Sequence, residues 1–450
     1  MPPGERQASR QFCSASILRE TGGAGRPGLS PFPHPSVTYS SLVLRTVFWL
    51  TLTVARRTSH EIDPEKLSGW RLLDNFRARL ERLAARFVLH PSFADARRKL
   101  AAGEYLCLFL FGLLNPTVRT MRGLCAASKV ARVQREICGR AVSQASFSDA
   151  QHLLDPDLLG ALLAELGAEA LARNPAARAG GLPNLSAVDA TLWEALPRMA
   201  WAVWRTQGKT QRAVKLEVKF HVLSQVPQLP VVAPGKTCER KLWRKQWRAG
   251  DFFVADRYYA EDYGIFDELA AAGCSYIIRL RDEATINWEE ALPLSAADRA
   301  AGVVRDGWAT LGSRPKHRSR RVRVVEIQTA KCLIRLVSDG GPERLSAELI
   351  AQLYRQRWEV ELFFRWIKCT LGCRHWLAES QRGVTIQVYL ALIAAVLLQL
   401  YVGERPNKRM MELIQLYLSG IARLDELERL LAQELARVRR ARSRARIKKA

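Results

Sequence analysis

The stretch from Ala213 to Leu223, AVKLEVKFHVL, alternates apolar and polar residues from Val214 to Val222. Val214, Leu216, Val218, Phe220 and Val222 therefore share one side, the period-two pattern of a strand with a buried face. Such a strand needs neighbours to pair with and a layer to cover it. The flanking sequence supplies both. Leu185 to Ala190, Phe252 to Ala255 and Ser275 to Leu280 are short apolar runs suited to strands. Cys238 to Arg248 reads as a basic amphipathic helix, and Glu261 to Ala272 as a helix closed by Gly273. Strands followed by strand–helix–strand–helix alternation predict an α/β sheet of mixed direction.

The rest of the chain differs in texture. Residues 1–62 are rich in Pro, Gly, Ser and Arg and read as a flexible leader, or as sequence upstream of the true start. Residues 63–180 are helical in pattern, with Leu73, Phe76, Leu80, Leu83 and Phe87 recurring at three- and four-residue steps. Short helical pieces follow, and Ser146 with Asp149 suits a capping box. Their basic residues (Arg119, Arg122, Lys129, Arg132, Arg135 and Arg140) fit a helix-turn-helix-like DNA reader, and equally a plain bundle with a basic surface. Residues 176–183 are a Gly- and Pro-containing linker. Residues 282–344 are β-rich, with strands near Val303, from Val322 to Ile327 and from Cys332 to Val337. Basic turn residues Arg314, Lys316, Arg318, Arg320 and Arg321 lie between them. Residues 345–403 return to helix, Val384 to Val402 being strongly apolar. Residues 404–450 end in a helix from Leu424 to Leu435 and a basic tail, read as a disordered nucleic-acid-binding arm.

Composition narrows the class. The net charge of +25 over 450 residues points to a polyanionic partner, with nucleic acid the first candidate. Nine scattered Cys without a framework suit reduced thiols in a cytoplasm, here beside the nucleoid. Cys369, Cys373 and His375 have no second ligand pair at zinc spacing. No stretch reads as a membrane span: Leu42 to Val54 carries Arg45, and Val388 to Val402 falls short of about 20 residues.

The stretch from Tyr354 to Lys368, YRQRWEVELFFRWIK, has no Gly or Pro and suits one helix. At about 100° per residue, Tyr354, Arg357, Glu361 and Lys368 fall within an arc of about 60°, and Arg365 lies beside Glu361. Phe363, Phe364, Trp366 and Ile367 face away. The pattern fits a solvated charged face with i,i+4 pairing. It also fits a polar stripe pressed on a site. Asp189 and Asp256 each end an apolar run, and strand ends are where ligands gather in α/β sheets. With Glu361 they would make an oxygen-rich pocket suited to Mg²⁺ or Mn²⁺. Two such ions about 3.5–4 Å apart serve phosphodiester cleavage. Each Asp, taken alone, also fits a turn or cap.

Tyr354, Arg357, Glu361 and Lys368 match Tyr-x2-Arg-x3-Glu-x6-Lys, and the chain here resembles the bacterial insertion-sequence DDE transposases that carry this signature. Val188-Asp189-Ala190-Thr191 agrees, as does Phe253 to Tyr259 running on to Tyr276-Ile277-Ile278-Arg279-Leu280-Arg281. The resemblance covers residues 115–402. It implies a ribonuclease-H-like mixed sheet flanked by helices, interrupted by a β-rich insertion and preceded by an N-terminal helical domain. The core parts would be residues 181–281 and 345–403. It implies Asp189, Asp256 and Glu361 as catalytic metal ligands for two Mg²⁺ or Mn²⁺ ions. Tyr354, Arg357 and Lys368 would contact the DNA backbone; Arg365 joins them from the helix geometry. The implied activity is cut-and-paste transposition: end cleavage, a hairpin, and joining to target DNA. The partners would be double-stranded DNA, as inverted-repeat ends and target, and a second protomer. Trp288 and Trp308 are both candidates for handling a flipped base, and both fit core packing. Ala190 and Tyr258 stand where many relatives have Gly. Two rival readings remain: a decayed, DNA-binding repressor, and a nuclease without strand transfer.

Overall fold

Strands buried on both faces build the centre of the molecule. The structure is a computed structural model that describes residues 71–84, 100–115, 117–173, 184–313, 319–373 and 375–447. The leader at 1–62, the linker residues 176–183 and the turn cations Arg314, Lys316 and Arg318 lie outside the described residues.

The sheet begins with β1 (Leu185–Glu194), β2 (Val203–Thr206), β3 (Lys209–His221) and β4 (Val226–Pro234). β3 pairs antiparallel with β1 and β4. β5 (Phe252–Ala255) lies parallel to β1, and β6 (Ser275–Arg279) lies parallel to β5. The order β4–β3–β1–β5–β6 is ribonuclease-H-like. The β-rich segment extends the same sheet outward. β7 (Ile286–Ala291), β8 (Val303–Leu311), β9 (Val322–Gln328) and β10 (Leu333–Ser338) continue it, with β10 antiparallel to β6. β7 was not evident in the sequence, because its half-polar INWEEA lacks clean alternation.

Helices cover both faces. On one side Ala187, Val218, Phe220, Phe252 and Val254 join the larger core. It is completed by N-terminal α1 (Arg71–Ala84), α2 (Ala102–Leu114), α3 (Met121–Ala127), α4 (Ala131–Val133), α5 (Gln144–Leu153) and α6 (Pro156–Ala172). On the other side Val188, Phe253, Ala255, Tyr276 and Ile278 pack with Trp243 and Phe266. These two rings come from α7 (Glu239–Arg244) and α8 (Ile265–Ala271), both shorter than the sequence pattern suggests. α5 is capped by Ser143, whose side chain accepts from the Ser146 amide, so the box at Ser146 and Asp149 is displaced by one turn.

After a short α9 (Ala296–Ala300), the chain enters α10 (Ala347–Arg355), α11 (Trp358–Cys369), α12 (Gln381–Val402), α13 (Lys408–Leu418) and α14 (Leu424–Ile447). Three expectations are corrected here. The Tyr354–Lys368 stretch is two helices, joined by a tight turn in which Gln356, Arg357, Glu359 and Val360 each donate to the carbonyl three residues back. α12 has 22 residues, so it is long and apolar enough to cross a membrane by length and composition. Gln381 to Gln387 extend the apolar run backward behind a Ser380 cap, and the helix packs against α2 and α6 with most residues buried. The basic tail is helical through Ile447, since Leu427 and Leu431 bury against the core and anchor the following turns.

Candidate active site

Strand parity assembles the site. Residues 185, 187, 189, 191 and 193 of β1 share a face, and Asp189 stands opposite Val218, in the middle of the strand rather than at its end. The strand runs five residues further because β3 is long enough to pair with all of them. On β5, Phe252 and Val254 share that face, and Asp256 follows at the next alternate position. Both carboxylates thus turn towards α11. That helix is held on the sheet by Val360, Phe363, Phe364, Trp366 and Ile367, all buried. The Phe363 ring lies 4.9 Å from that of Phe220. Beyond α11 the chain clasps β1: the Trp193 indole donates to the Cys373 carbonyl, and the Trp376 indole to that of Glu194.

The backbone sets the two aspartates. Asp189 Oδ1 accepts from the Ala190 amide at 2.8 Å, and Asp256 Oδ1 accepts from the Tyr258 amide at 2.9 Å. Arg357 bridges the carboxylates: its Nη2 is 2.5 Å from Glu361 Oε1, and its Nη1 is 3.7 Å from Asp189 Oδ2. Burial pushes the Asp189 carboxyl up to about 7; Arg357 opposes this, and the charges of Asp256 and Glu361 add to it. The three carboxylates therefore sense one another. Burial also raises the Tyr354 phenol, against the charges of Arg357 and Arg279.

An all-oxygen set of three carboxylates fits a hard divalent cation. Among the described residues, no three such side chains stand close enough together to hold a metal ion. The guanidinium of Arg357 supplies the positive charge instead, between two of the three. The fit is one of chemistry, and it requires Arg357 to withdraw.

The other expected residues divide. Tyr354 lies on the last turn of α10 and Arg357 at the start of α11, so both reach the site from either side of the turn. Lys368 is committed to β1: its ammonium donates to Thr191 Oγ1 at 2.6 Å and to the Leu192 carbonyl at 2.7 Å. Arg365 is exposed and makes no ion pair with either carboxylate among the described residues. Trp288 packs beside the second core with Arg305 stacked 3.8 Å above it, while Arg321 lies 5.1 Å from Trp308.

Two residues escaped the sequence reading. Arg279 ends β6 as Asp256 follows β5, and the strand-end rule could have found it. Glu217 is fully buried on β3, opposite Ala190, and among the described residues neither carboxylate oxygen has a hydrogen-bond partner. Burial, then the charge of Glu239, pushes its pKa up from 4.5 to about 9. No local signal marks it, since it occupies a polar slot of an alternating strand. The folded value exceeds the unfolded one, so the protonated form is favoured on folding. Stability is full below about pH 4.5 and falls as pH rises towards about 9. At pH 7 the loss is about 3 kcal/mol, at about 1.4 kcal/mol per unit. Glu217→Gln should therefore raise the urea midpoint at about pH 8 and leave it unchanged at about pH 4. Equal midpoints for the two proteins at the higher pH would refute the buried neutral acid.

Residues 180–397 match the family model described as the transposase DDE domain. The chain is 28% identical over 203 residues to a protein of Geobacillus stearothermophilus described as the probable transposase for insertion sequence element IS5377, covering 45% of this chain and 52% of that one. It is 25% identical over 244 residues to the protein described as transposase y4zB of Sinorhizobium fredii, covering 53% and 66%. The chain thus spans about half to two thirds of these relatives' length. Among solved structures, the piggyBac transposase synaptic complex with hairpin DNA aligns over 77% of this chain and 80% of that one, at 9% identity and a TM-score of 0.37, too low a likeness to argue from.

Proposed function

We propose, from the membership of this chain in the transposase DDE-domain family, that it is a DNA transposase of a bacterial insertion sequence. It would cut the ends of its element and join them to target DNA. The observation that carries the reading is the placement of Asp189 and Asp256 on one sheet face with Glu361 on the helix packed against it. Asp189, Asp256 and Glu361 would hold two Mg²⁺ or Mn²⁺ ions. Ions so held would lower the pKa of an attacking water or hydroxyl and stabilise the departing oxygen.

The chain's own groups do the rest. Arg357 lies between Asp189 and Glu361 with Tyr354 beside it, and an entering phosphate would draw the guanidinium off the two carboxylates. Lys368 would exchange its hydroxyl and carbonyl partners on β1 for the DNA backbone. The helices of residues 63–180 would read the end sequence. Water would hydrolyse one strand at the element end and free a 3′-hydroxyl, which would attack the opposite strand and leave a hairpin; a second water would hydrolyse that hairpin at the same site, and the regenerated 3′-hydroxyl would join to target. Two protomers would bridge two ends. All steps are phosphoryl transfers, so positioning and charge neutralisation carry the catalysis.

The test uses the full chain, duplex DNA bearing the inverted repeats that flank its gene, and Mg²⁺ or Mn²⁺. Nicked ends, hairpins and joined products are expected. Cleavage without joining would leave a nuclease, and binding without cleavage a repressor; either outcome overturns the reading.

Arg357 gives a second check that needs no turnover. Because its guanidinium competes for the carboxylates, Arg357→Ala should bind Mn²⁺ of the order of tenfold more tightly without DNA, read by electron paramagnetic resonance. Weaker binding by the variant would mean that Arg357 helps to build the ion site rather than filling it.

A further inference from the structure

The strands β2 and β3 leave the body of the sheet together. Their pairing runs from Val203 opposite Arg212 to Thr206 opposite Lys209, and every residue from 205 to 212 is exposed. The tip is a two-residue turn, with Gln207 at φ 49° and Gly208 at φ 73°. Two successive positive φ values are what a type I′ hairpin turn requires, and that turn matches the natural twist of the strands. The element is therefore a paired ribbon with a defined tip. At its base the Trp204 ring lies against Gly235, where a Cβ would come within 2.8 Å of it.

The side chains of the ribbon are uniform in sign. Arg205, Lys209 and Arg212 project with Thr206, Gln207, Thr210 and Gln211, and no acid occurs between residues 203 and 213. None of the three cations joins an ion pair among the described residues, although most other arginines near the site do. Such a two-stranded projection buries little and adds little to stability. Three uncompensated charges on it serve the fold no purpose.

Its direction gives it one. β1 and β5 both run towards the ribbon end of the sheet, and Asp256 lies just past the end of β5. Lys209 is nine positions from Val218, the partner of Asp189, which places it roughly 30 Å from the site along β3. Arg212 is six positions away, or roughly 20 Å. One turn of duplex DNA is about 34 Å.

We propose that the β2–β3 ribbon is a DNA clamp, gripping the phosphate backbone about one helical turn from the reacting phosphate. A two-stranded β-ribbon fits the major groove, so its cations can meet the phosphates on either rim. The same strand that carries the partner of Asp189 carries the clamp, so the distance between grip and cut is set by β3. This rests on the reading of the protein as an enzyme acting on DNA.

The test compares the full chain with Arg205→Ala/Lys209→Ala/Arg212→Ala. Binding to an arbitrary duplex of about 40 base pairs is followed by fluorescence anisotropy across a salt series. Each phosphate contact contributes about 0.9 to the slope of log K against log salt, so the triple variant should lose about 2 to 3 from that slope. Arg205→Lys/Arg212→Lys should keep it. On end DNA, the hydroxyl-radical footprint should lose protection about ten base pairs from the cut. An unchanged slope, or lost protection adjoining the cut, overturns the clamp. If the wild type cleaves end DNA while the triple variant keeps its slope, the clamp alone fails. If the wild type neither binds nor cleaves, the underlying function fails with it.

Discussion

Glu361→Gln is expected to lower metal-dependent end cleavage by at least about a thousandfold, the scale of removing a group that acts only with its partners. The amide keeps the shape of the side chain and one acceptor oxygen but loses the charge. It would no longer hold a divalent cation with Asp189 and Asp256, nor the Nη2 of Arg357 as an ion pair. The Glu361 side chain is 31% exposed, so the stability change should stay below about 1 kcal/mol. Metal-free DNA binding should persist, because a negative charge near the DNA is removed. The contrast is Glu359→Gln on the same helix, whose carboxylate faces Gln225 and Arg405 instead of the site. That variant should cleave like wild type. Equal cleavage by Glu361→Gln and wild type would end the assignment of this carboxylate.

Asp306→Ala is expected to destabilise the protein by about 3–5 kcal/mol, the range for stripping one partner from a buried ion pair. Asp306 and Arg323 join β8 to β9 with side chains 4% and 1% exposed. Arg323 donates twice to the carboxylate, from Nε at 2.9 Å and Nη2 at 2.6 Å. Its Nη1 also donates to the Gly340 carbonyl at 3.0 Å and to that of Leu345. Those carbonyls precede the Ser346 cap of α10, so the pair ties the outer strands to the helix that carries Tyr354. Removing the acid strips the buried guanidinium of its paired carboxylate and leaves it only the charge of Asp298 and the two carbonyls. Replacing both residues with Asp306→Leu/Arg323→Met should recover most of the loss, since apolar packing needs no charge partner. Urea denaturation at fixed pH measures both. A loss below about 1 kcal/mol in the single variant would mean that water reaches the pair.

The α/β class was legible because alternation is local. Val214 to Val222 declared a strand with one buried face; the structure buries all five apolar residues and, on the other face, Lys215, Glu217, Lys219 and His221 as well, because helices cover both sides of the sheet. The same period placed Asp189 and Asp256 on one face, though not the length of β1. That strand extends past Asp189 because β3 pairs with it as far as Glu194, a contact made by residues outside the local run. The helix of Glu361 was visible from its buried aromatic side. The tight turn at Gln356 and Arg357 was not, since both residues keep near-helical dihedrals and neither is Gly or Pro. The outer strands read as an insertion, yet they continue the central sheet, because the pairing of β10 with β6 joins segments more than fifty residues apart.

The amino-acid sequence by itself determined the chemistry available: three carboxylates, a phenol and a surplus of cations, carried on segments whose periods specify strand or helix. Those signals act over a few residues, where backbone dihedrals and side-chain spacing decide the outcome. The tertiary structure decided which groups meet. It set Arg357 between Asp189 and Glu361, bound Lys368 to β1, left Arg365 in solvent, and buried Glu217 with no hydrogen-bond partner among the described residues. These outcomes depend on how β1, β5 and α11 pack, and packing sums contacts between residues far apart in the chain, which no local pattern records.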